Sequence, residues 1–141
     1  SAYYRRLTDD DPKVHSPAAA AWNHYETQCS TFRHNPIGPA VGSGSAALAL
    51  ARLEAHYFVN QVFLEEGEIL AKINKIANIP TTIIQGRYDM ICPMISANEL
   101  SSAFPNAVLN VIDDAGHSAM EPGIRRALVE AADAFRDKGR F

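Results

Sequence analysis

The feature that most constrains the fold is an alternation of strand and helix patterns in residues 78–141. Thr81–Gln85 is short, apolar and rich in β-branched residues, which is typical of a buried strand, and Gly86 ends it. Ala107–Ile112 predicts a second strand after an intervening helix. The order strand, helix, strand, helix favours parallel strands joined by crossover helices, so the predicted fold class is α/β. Since two parallel strands do not make a stable sheet, we expect them to be the closing edge of a larger one.

Two helices are predicted beside these strands. Ser96, with Glu99 three residues later, has the spacing of a capping box and predicts a helix start. Pro122 stands at a position that the first turn of a helix tolerates. The apolar stripe of that last helix consists of Ile124, Leu128, Ala131 and Phe135.

The first half of the chain carries helical rather than strand patterns. Pro17–Ala21 predicts one helix start, and Ala46–Phe58 is the clearest helix of the chain. A third helix is predicted from about Glu66 to Ala77. We therefore divide the chain into a helical region, residues 1–77, and an α/β region, residues 78–141.

Composition and charge argue against several classes of function. The 141 residues carry a formal net charge of −3, whereas a protein that binds nucleic acid recruits an excess of Lys and Arg. No apolar run approaches the roughly 20 residues that span a bilayer, so no membrane partner is expected. Cys29 and Cys92 are expected to be free thiols, which favours a reducing, cytoplasmic setting. The histidines lack zinc-ligand spacing, and neither a metal nor another cofactor is predicted.

Both predicted strands run into residues that can carry chemistry. Asp89 follows the first strand, and His117 follows the second. In open α/β sheets functional groups collect beyond the carboxyl ends of the strands. A carboxylate that orients an imidazole, which in turn deprotonates a serine, is the arrangement of a catalytic triad, and acid before histidine is the chain order of α/β-hydrolases. The alternative is a capping Asp and a surface His without a catalytic role.

Several short strings resemble the proline iminopeptidase family. The strings that resemble its acid and base loops are Ile84–Asp89, Cys92–Pro93, Ala115–Ser118 and Glu121–Pro122. The strings that resemble its helical cap are Ala2–Leu7, Ala21–Trp22, Tyr25–Glu26, Ala51–Glu54 and His56–Phe58. The resemblance covers nearly the whole chain. It implies the C-terminal part of an α/β-hydrolase fold, with residues 1–77 as the helical cap region and residues 78–141 as the last strands and helices of the core.

The resemblance also implies a reaction and a substrate. His117 would act as base and then as acid in a serine exopeptidase that releases N-terminal proline from peptides, with Asp89 orienting it. Glu26 and Glu54 match the family positions that hold the free amine of the substrate. The residues themselves agree, because Glu54 lies on an apolar helix face where a carboxylate is costly unless it is paired. The alternative for each Glu is a local ion pair with a residue such as Arg52 or Arg33.

The family's Gly-rich oxyanion loop and serine elbow do not appear in this sequence. Gly42–Ser45 lacks the G-x-S-x-G pattern and a preceding strand, and the stretch 34–45 predicts a loop. We therefore expect a piece of a longer enzyme that is inactive alone and pairs with its missing half or self-associates through an open strand edge. The alternatives are another hydrolase of the same fold, such as an esterase or epoxide hydrolase, or a non-catalytic interaction module.

Overall fold

The computed structural model of the chain describes residues 1–33 and 44–140. The described residues form two compact units, one of residues 1–28 with 44–66 and one of residues 29–33 with 67–140. The division predicted at residue 78 stays a prediction. Of the predicted loop over residues 34–45, all but the last two residues lie outside the described residues.

The first unit is helical and has a core made mostly of alanine. Its elements are α1 (Ala2–Leu7), α2 (Pro12–Cys29, whose last residue belongs to the second unit), α3 (Ser45–Val59) and a 3₁₀ turn at Gln61–Phe63. Leu7 is fully buried. The other members of its cluster are Ala18, Ala19, Ala51 and Ala55. Because alanine side chains are small, the helix backbones can approach closely and bury this cluster.

Two helix predictions for this unit are corrected by the structure. Helix α2 begins at Pro12, and Pro17 lies inside it rather than at its start. The earlier start is stabilised by Asp11, whose Oδ1 accepts the Lys13 amide at 2.9 Å. In α3 the buried row is Ala47, Ala51 and Ala55. The helical periodicity of Ala46–Phe58 instead predicts an apolar face of Ala47, Leu50, Ala51, Glu54, Tyr57 and Phe58. Tyr57 and Phe58 are 47% and 60% exposed, so this part of the prediction is wrong.

The second unit contains a two-stranded parallel sheet with flanking helices. Its elements are α4 (Glu68–Ala71), a 3₁₀ turn at Ile73–Ile76, β1 (Thr81–Gly86), α5 (Met94–Ala103), β2 (Ala107–Ile112) and α6 (Pro122–Lys138). The register pairs Thr81 with Ala107 at one end and Gly86 with Ile112 at the other. The prediction of two parallel strands with a crossover helix is confirmed. Since both strands end at the same level, the loops that follow them leave the sheet at the same edge.

In this unit the predicted start of α5 is wrong, and the predicted start of α6 is confirmed. The capping box at Ser96 is wrong, because α5 already begins at Met94 with Pro93 as its N-cap residue and no side-chain cap bond. The N-cap residue Pro93, at φ −58°, lies three residues before Ser96, the N-cap residue that the capping box predicted. Pro122 occupies the first turn of α6, as predicted.

The helix predicted from Glu66 to Ala77 is divided into α4 and the 3₁₀ turn. The Lys72 amide, at their junction, donates to the carbonyls of both Glu68 and Ile69, at 3.1 and 3.2 Å. A shared bond of this kind tightens the helix from α to 3₁₀ geometry.

Candidate active site

The two strand ends are bonded to each other beyond the sheet. The Arg87 amide donates to the Ile112 carbonyl and the Tyr88 amide donates to the Ala115 carbonyl, both at 3.0 Å. Gly86 lets the loops approach this closely, because a Cβ atom built there would lie 1.9 Å from the Gly116 carbonyl oxygen. Only glycine fits such a contact with backbone atoms.

The Asp89 carboxylate is buried and accepts bonds on both oxygens. Its side chain is 6% exposed. Oδ1 accepts the amides of Ile91 and Cys92 at 2.9 and 2.7 Å. Oδ2 accepts from Gln85 Nε2 at 3.3 Å and lies 3.0 Å from His117 Nδ1. Both oxygens of this buried carboxylate therefore have hydrogen-bond partners within the protein.

Gln85 is a site residue that the sequence prediction missed. It is 9% exposed at the end of β1. Its Nε2 lies 2.9 Å from the Cys92 carbonyl oxygen, and it also contacts Asp89. The signal that could have revealed it is a polar side chain at the end of a buried strand, four residues before Asp89.

His117 is placed as the base of a triad would be. Its side chain is 39% exposed and turns Nδ1 toward Asp89. With the Nδ1 proton donated to the carboxylate, the neutral tautomer leaves Nε2 as the proton acceptor. Nε2 has no hydrogen-bond partner among the residues that the structure describes. The structure therefore brings together the two residues predicted as acid and base, and their catalytic role remains a proposal.

A short segment after α2 contacts the histidine loop, which we define as residues 115–118. The Ser30 carbonyl accepts the amides of His117 and Ser118 at 2.9 and 2.7 Å. The ring of Phe32 stacks on that of Tyr88, with centroids 4.2 Å apart and planes at 14°. Sequence reasoning did not connect residues 30–32 with the site, and no local pattern identifies them.

Cys92 lies in the turn that follows Asp89, and the pKa of its thiol is raised. Burial raises the pKa of its thiol, and the negative charge of Asp89 raises it further, although the residue remains partly accessible to solvent. The thiol is therefore protonated and weakly nucleophilic near neutral pH.

The predicted amine-binding residues lie in the first unit. Trp22 Nε1 donates to Glu54 Oε2 at 2.7 Å, and Glu54 is half-buried. Arg52, the alternative partner, instead donates from Nε to the Leu7 carbonyl at 2.6 Å. In the described ranges no ion pair involves Glu54. Glu26 is half-buried on α2, one turn after Trp22.

Within residues 1–33 and 44–140, no three side chains of the His, Cys, Asp and Glu types cluster as metal ligands would. In the same part of the chain, no helix combines the length and the apolar character needed to cross a bilayer.

The chain belongs to the α/β-hydrolase fold family, whose pattern matches residues 5–123. It is 47% identical over 137 residues to a probable proline iminopeptidase of Leptolyngbya boryana and 43% identical over 137 residues to a proline iminopeptidase of Arabidopsis thaliana. It is also 46% identical over 138 residues to a proline iminopeptidase of Xanthomonas citri. The predicted fold class and the resemblance to proline iminopeptidases are thus confirmed.

Each of these three alignments covers 96% of this chain but only part of the relative. The chain spans 43%, 36% and 44% of their respective lengths.

Proposed function

We propose that this chain forms part of a serine exopeptidase that releases N-terminal proline from peptides. The observation that carries the proposal is the 3.0 Å separation of His117 Nδ1 and Asp89 Oδ2 at the carboxyl ends of two parallel strands. The names of the similar proteins support the same substrate. The nucleophilic serine is proposed to come from residues outside this chain, because the sequence holds no serine elbow.

The proposed reaction uses His117 in two directions. In the first step the serine oxygen attacks the carbonyl carbon of the N-terminal proline, and Nε2 takes the hydroxyl proton. The imidazolium then donates that proton to the nitrogen of the leaving peptide as the amide bond breaks, leaving a prolyl ester on the serine. In the second step water attacks the ester, Nε2 takes its proton and returns it to the serine, and free proline is released. Asp89 holds the imidazole tautomer and stabilises its charged form throughout.

Glu54 and Glu26 are proposed to bind the protonated amine of the substrate. The half-buried carboxylate of Glu54 accepts one bond from Trp22 and has no cationic partner among the described residues. An ammonium about 4 Å away would attract it by roughly 4 kcal/mol at an effective dielectric near 20. Such an anchor would explain a requirement for a free N-terminus, which a neutral ester or epoxide does not need.

The catalytic roles are tested in the longer protein that contains this chain, with proline p-nitroanilide as substrate. We expect Asp89→Asn to lower kcat by about 10⁴-fold, because the asparagine holds the wrong imidazole tautomer. The matched control is Asp113→Asn, since Asp113 also follows a strand but has a 79% exposed side chain paired with Arg87. The catalytic assignment is wrong if the Asp89 variant keeps the activity of the control.

The amine role is tested with Glu54→Gln. We expect KM for proline p-nitroanilide to rise roughly 10- to 100-fold, because a charge-assisted bond to the substrate is lost. Hydrolysis of the amine-free ester p-nitrophenyl acetate should not change. Glu66→Gln, at an exposed position, is the control. Equal loss on both substrates would favour a general structural role for Glu54, and an unchanged rate on both would contradict the amine role and favour the esterase alternative.

A further inference from the structure

Glu121 occupies the N-cap position at the start of α6. Its side chain makes no capping hydrogen bond to this helix. Oε1 instead accepts the Gly116 amide at 2.6 Å. The Phe32 amide donates to the same carboxylate, at 3.3 Å from Oε1 and 3.2 Å from Oε2. The carboxylate therefore joins the histidine loop to the segment after α2.

With the bond to Glu121, three consecutive backbone amides of the histidine loop, at residues 116–118, have acceptors. Gly116 donates to Glu121, and the next two amides, of His117 and Ser118, donate to the Ser30 carbonyl. Bonds to a charged acceptor are stronger than those between neutral groups. There is little space for the loop to shift toward this segment, because a Cβ atom on Gly116 would lie 3.0 Å from the Phe32 nitrogen and 3.1 Å from the Ser30 oxygen.

We propose that Glu121 is a positioning residue that fixes the histidine loop, so that the His117 imidazole keeps its bond to Asp89. The inference rests on the proposed function, since its purpose is to keep the acid and base aligned. The backbone amides of residues 116–118 donate to two acceptors, the Glu121 carboxylate and the Ser30 carbonyl. These bonds fix the backbone of the histidine loop, while the His117 imidazole stays partly exposed to solvent. A displacement of about 1 Å at a catalytic group is enough to lower the rate about 100-fold.

The substitutions that test the proposal separate positioning from helix capping. Glu121→Asp keeps the charge and is a better N-cap residue, so it should stabilise the start of α6 while its shorter side chain withdraws from Gly116. Glu121→Ala removes the acceptor altogether. Glu121→Gln keeps the length and an acceptor oxygen and should rescue the contact. Glu130→Ala, at an exposed position of the same helix, is the matched control.

The first measurement is amide hydrogen exchange in the 141-residue chain, which needs no turnover. In Glu121→Asp we expect the amides of His117 and Ser118 to exchange roughly 10-fold faster or more, because their loop opens more readily. These amides bond to Ser30, so an effect on them reports the loop rather than the deleted contact. The amides of α6 should exchange no faster, and Glu121→Gln should stay within about 3-fold of the parent chain.

The second measurement is the nitrogen and proton NMR signature of the His117 ring. The bonded Nδ1–H signal should broaden or vanish in Glu121→Asp and Glu121→Ala and persist in the Gln and Glu130 variants. If the ring signature and the loop exchange are unchanged in Glu121→Asp, the proposal is overturned. It is also overturned if loop and α6 amides accelerate together, because Glu121 would then act only as a structural cap. If Glu121→Ala does not fold, the Asp variant decides.

A kinetic measurement in the longer protein separates this inference from the proposed function. Glu121→Asp should lower kcat for proline p-nitroanilide about 10-fold or more with little change in KM, because the loop holds the base rather than the substrate. If the longer protein does not turn over this substrate while the exchange and ring results hold, the proposed substrate is wrong and the positioning role stands.

Discussion

The contact between Gly86 and the histidine loop predicts a large effect for a single methyl group. In Gly86→Ala the new Cβ would lie 1.9 Å from the Gly116 carbonyl oxygen and 2.7 Å from that of Ala115. Ordinary van der Waals contact begins at 3.4 Å, so the loop must retreat by about 1.5 Å (3.4 minus 1.9). The atoms in the way are backbone and cannot rotate aside. Overpacking costs typically 1–3 kcal/mol, and we expect about 3 kcal/mol here.

The assay is urea denaturation of the 141-residue chain followed by far-UV circular dichroism, since its single tryptophan, Trp22, lies in the first unit. A loss of about 3 kcal/mol lowers the ratio of folded to unfolded protein roughly 100-fold. The control is Gly123→Ala, whose Cβ would meet the Ile112 Cγ2 methyl at 2.6 Å. A side-chain methyl is displaced more easily than backbone, and alanine favours the helix by up to about 1 kcal/mol, so we expect a smaller loss of stability than in Gly86→Ala.

The His117 ring signature provides a second readout of Gly86→Ala. The loop that retreats carries the imidazole, so the bonded Nδ1–H signal should be lost even in the protein that remains folded. A free energy of unfolding within about 1 kcal/mol of the parent chain, together with an unchanged ring signal, would refute the close packing of the strand end against the loop.

Two further predictions concern a thiol and a helix end. Because the pKa of Cys92 is raised, its alkylation by iodoacetamide should accelerate at a higher pH than that of a free cysteine. Asp89→Asn removes a nearby negative charge and should lower the pH at which the alkylation rate is half-maximal. If that pH does not change in the variant, the charge effect is contradicted. Arg52→Ala should lower the free energy of unfolding by about 1–2 kcal/mol, measured by urea denaturation, because the Leu7 carbonyl loses its 2.6 Å bond; an unchanged free energy would contradict that bond.

The strands and the two residues that follow them were predictable because their signals are local. A short β-branched run marks β1, and the rule for strand–helix–strand connections gives the parallel pairing that the structure has. Asp89 comes three residues after the end of β1, and His117 comes five residues after the end of β2. Because the two strands end at the same level, the loops that carry these residues lie at one edge of the sheet. The sequence alone was therefore enough to place Asp89 and His117 together.

The contacts that hold the loop of His117 in place were not predictable in the same way. The amide of Phe32 and the carboxylate of Glu121 are 89 positions apart. Local periodicity carries no information about a contact at that separation. The incorrect capping box shows a competing local effect, because Pro93 starts α5 before Ser96 can cap it. In α3 the alanines are buried while Tyr57 and Phe58 are exposed, so helical periodicity alone does not predict which apolar side chains enter the core.

The hydrogen bonds of Asp89 explain why the geometry of the pair depends on the histidine loop. Three of its four donors, the two amides of the turn after it and Gln85, lie within four residues of it, so they form with that turn. These three bonds hold the carboxylate without any contribution from the imidazole. The orientation of His117 must then come from its own loop. Gly86 and Glu121 are accordingly the positions where a small change should separate the side chains of Asp89 and His117 without altering either residue.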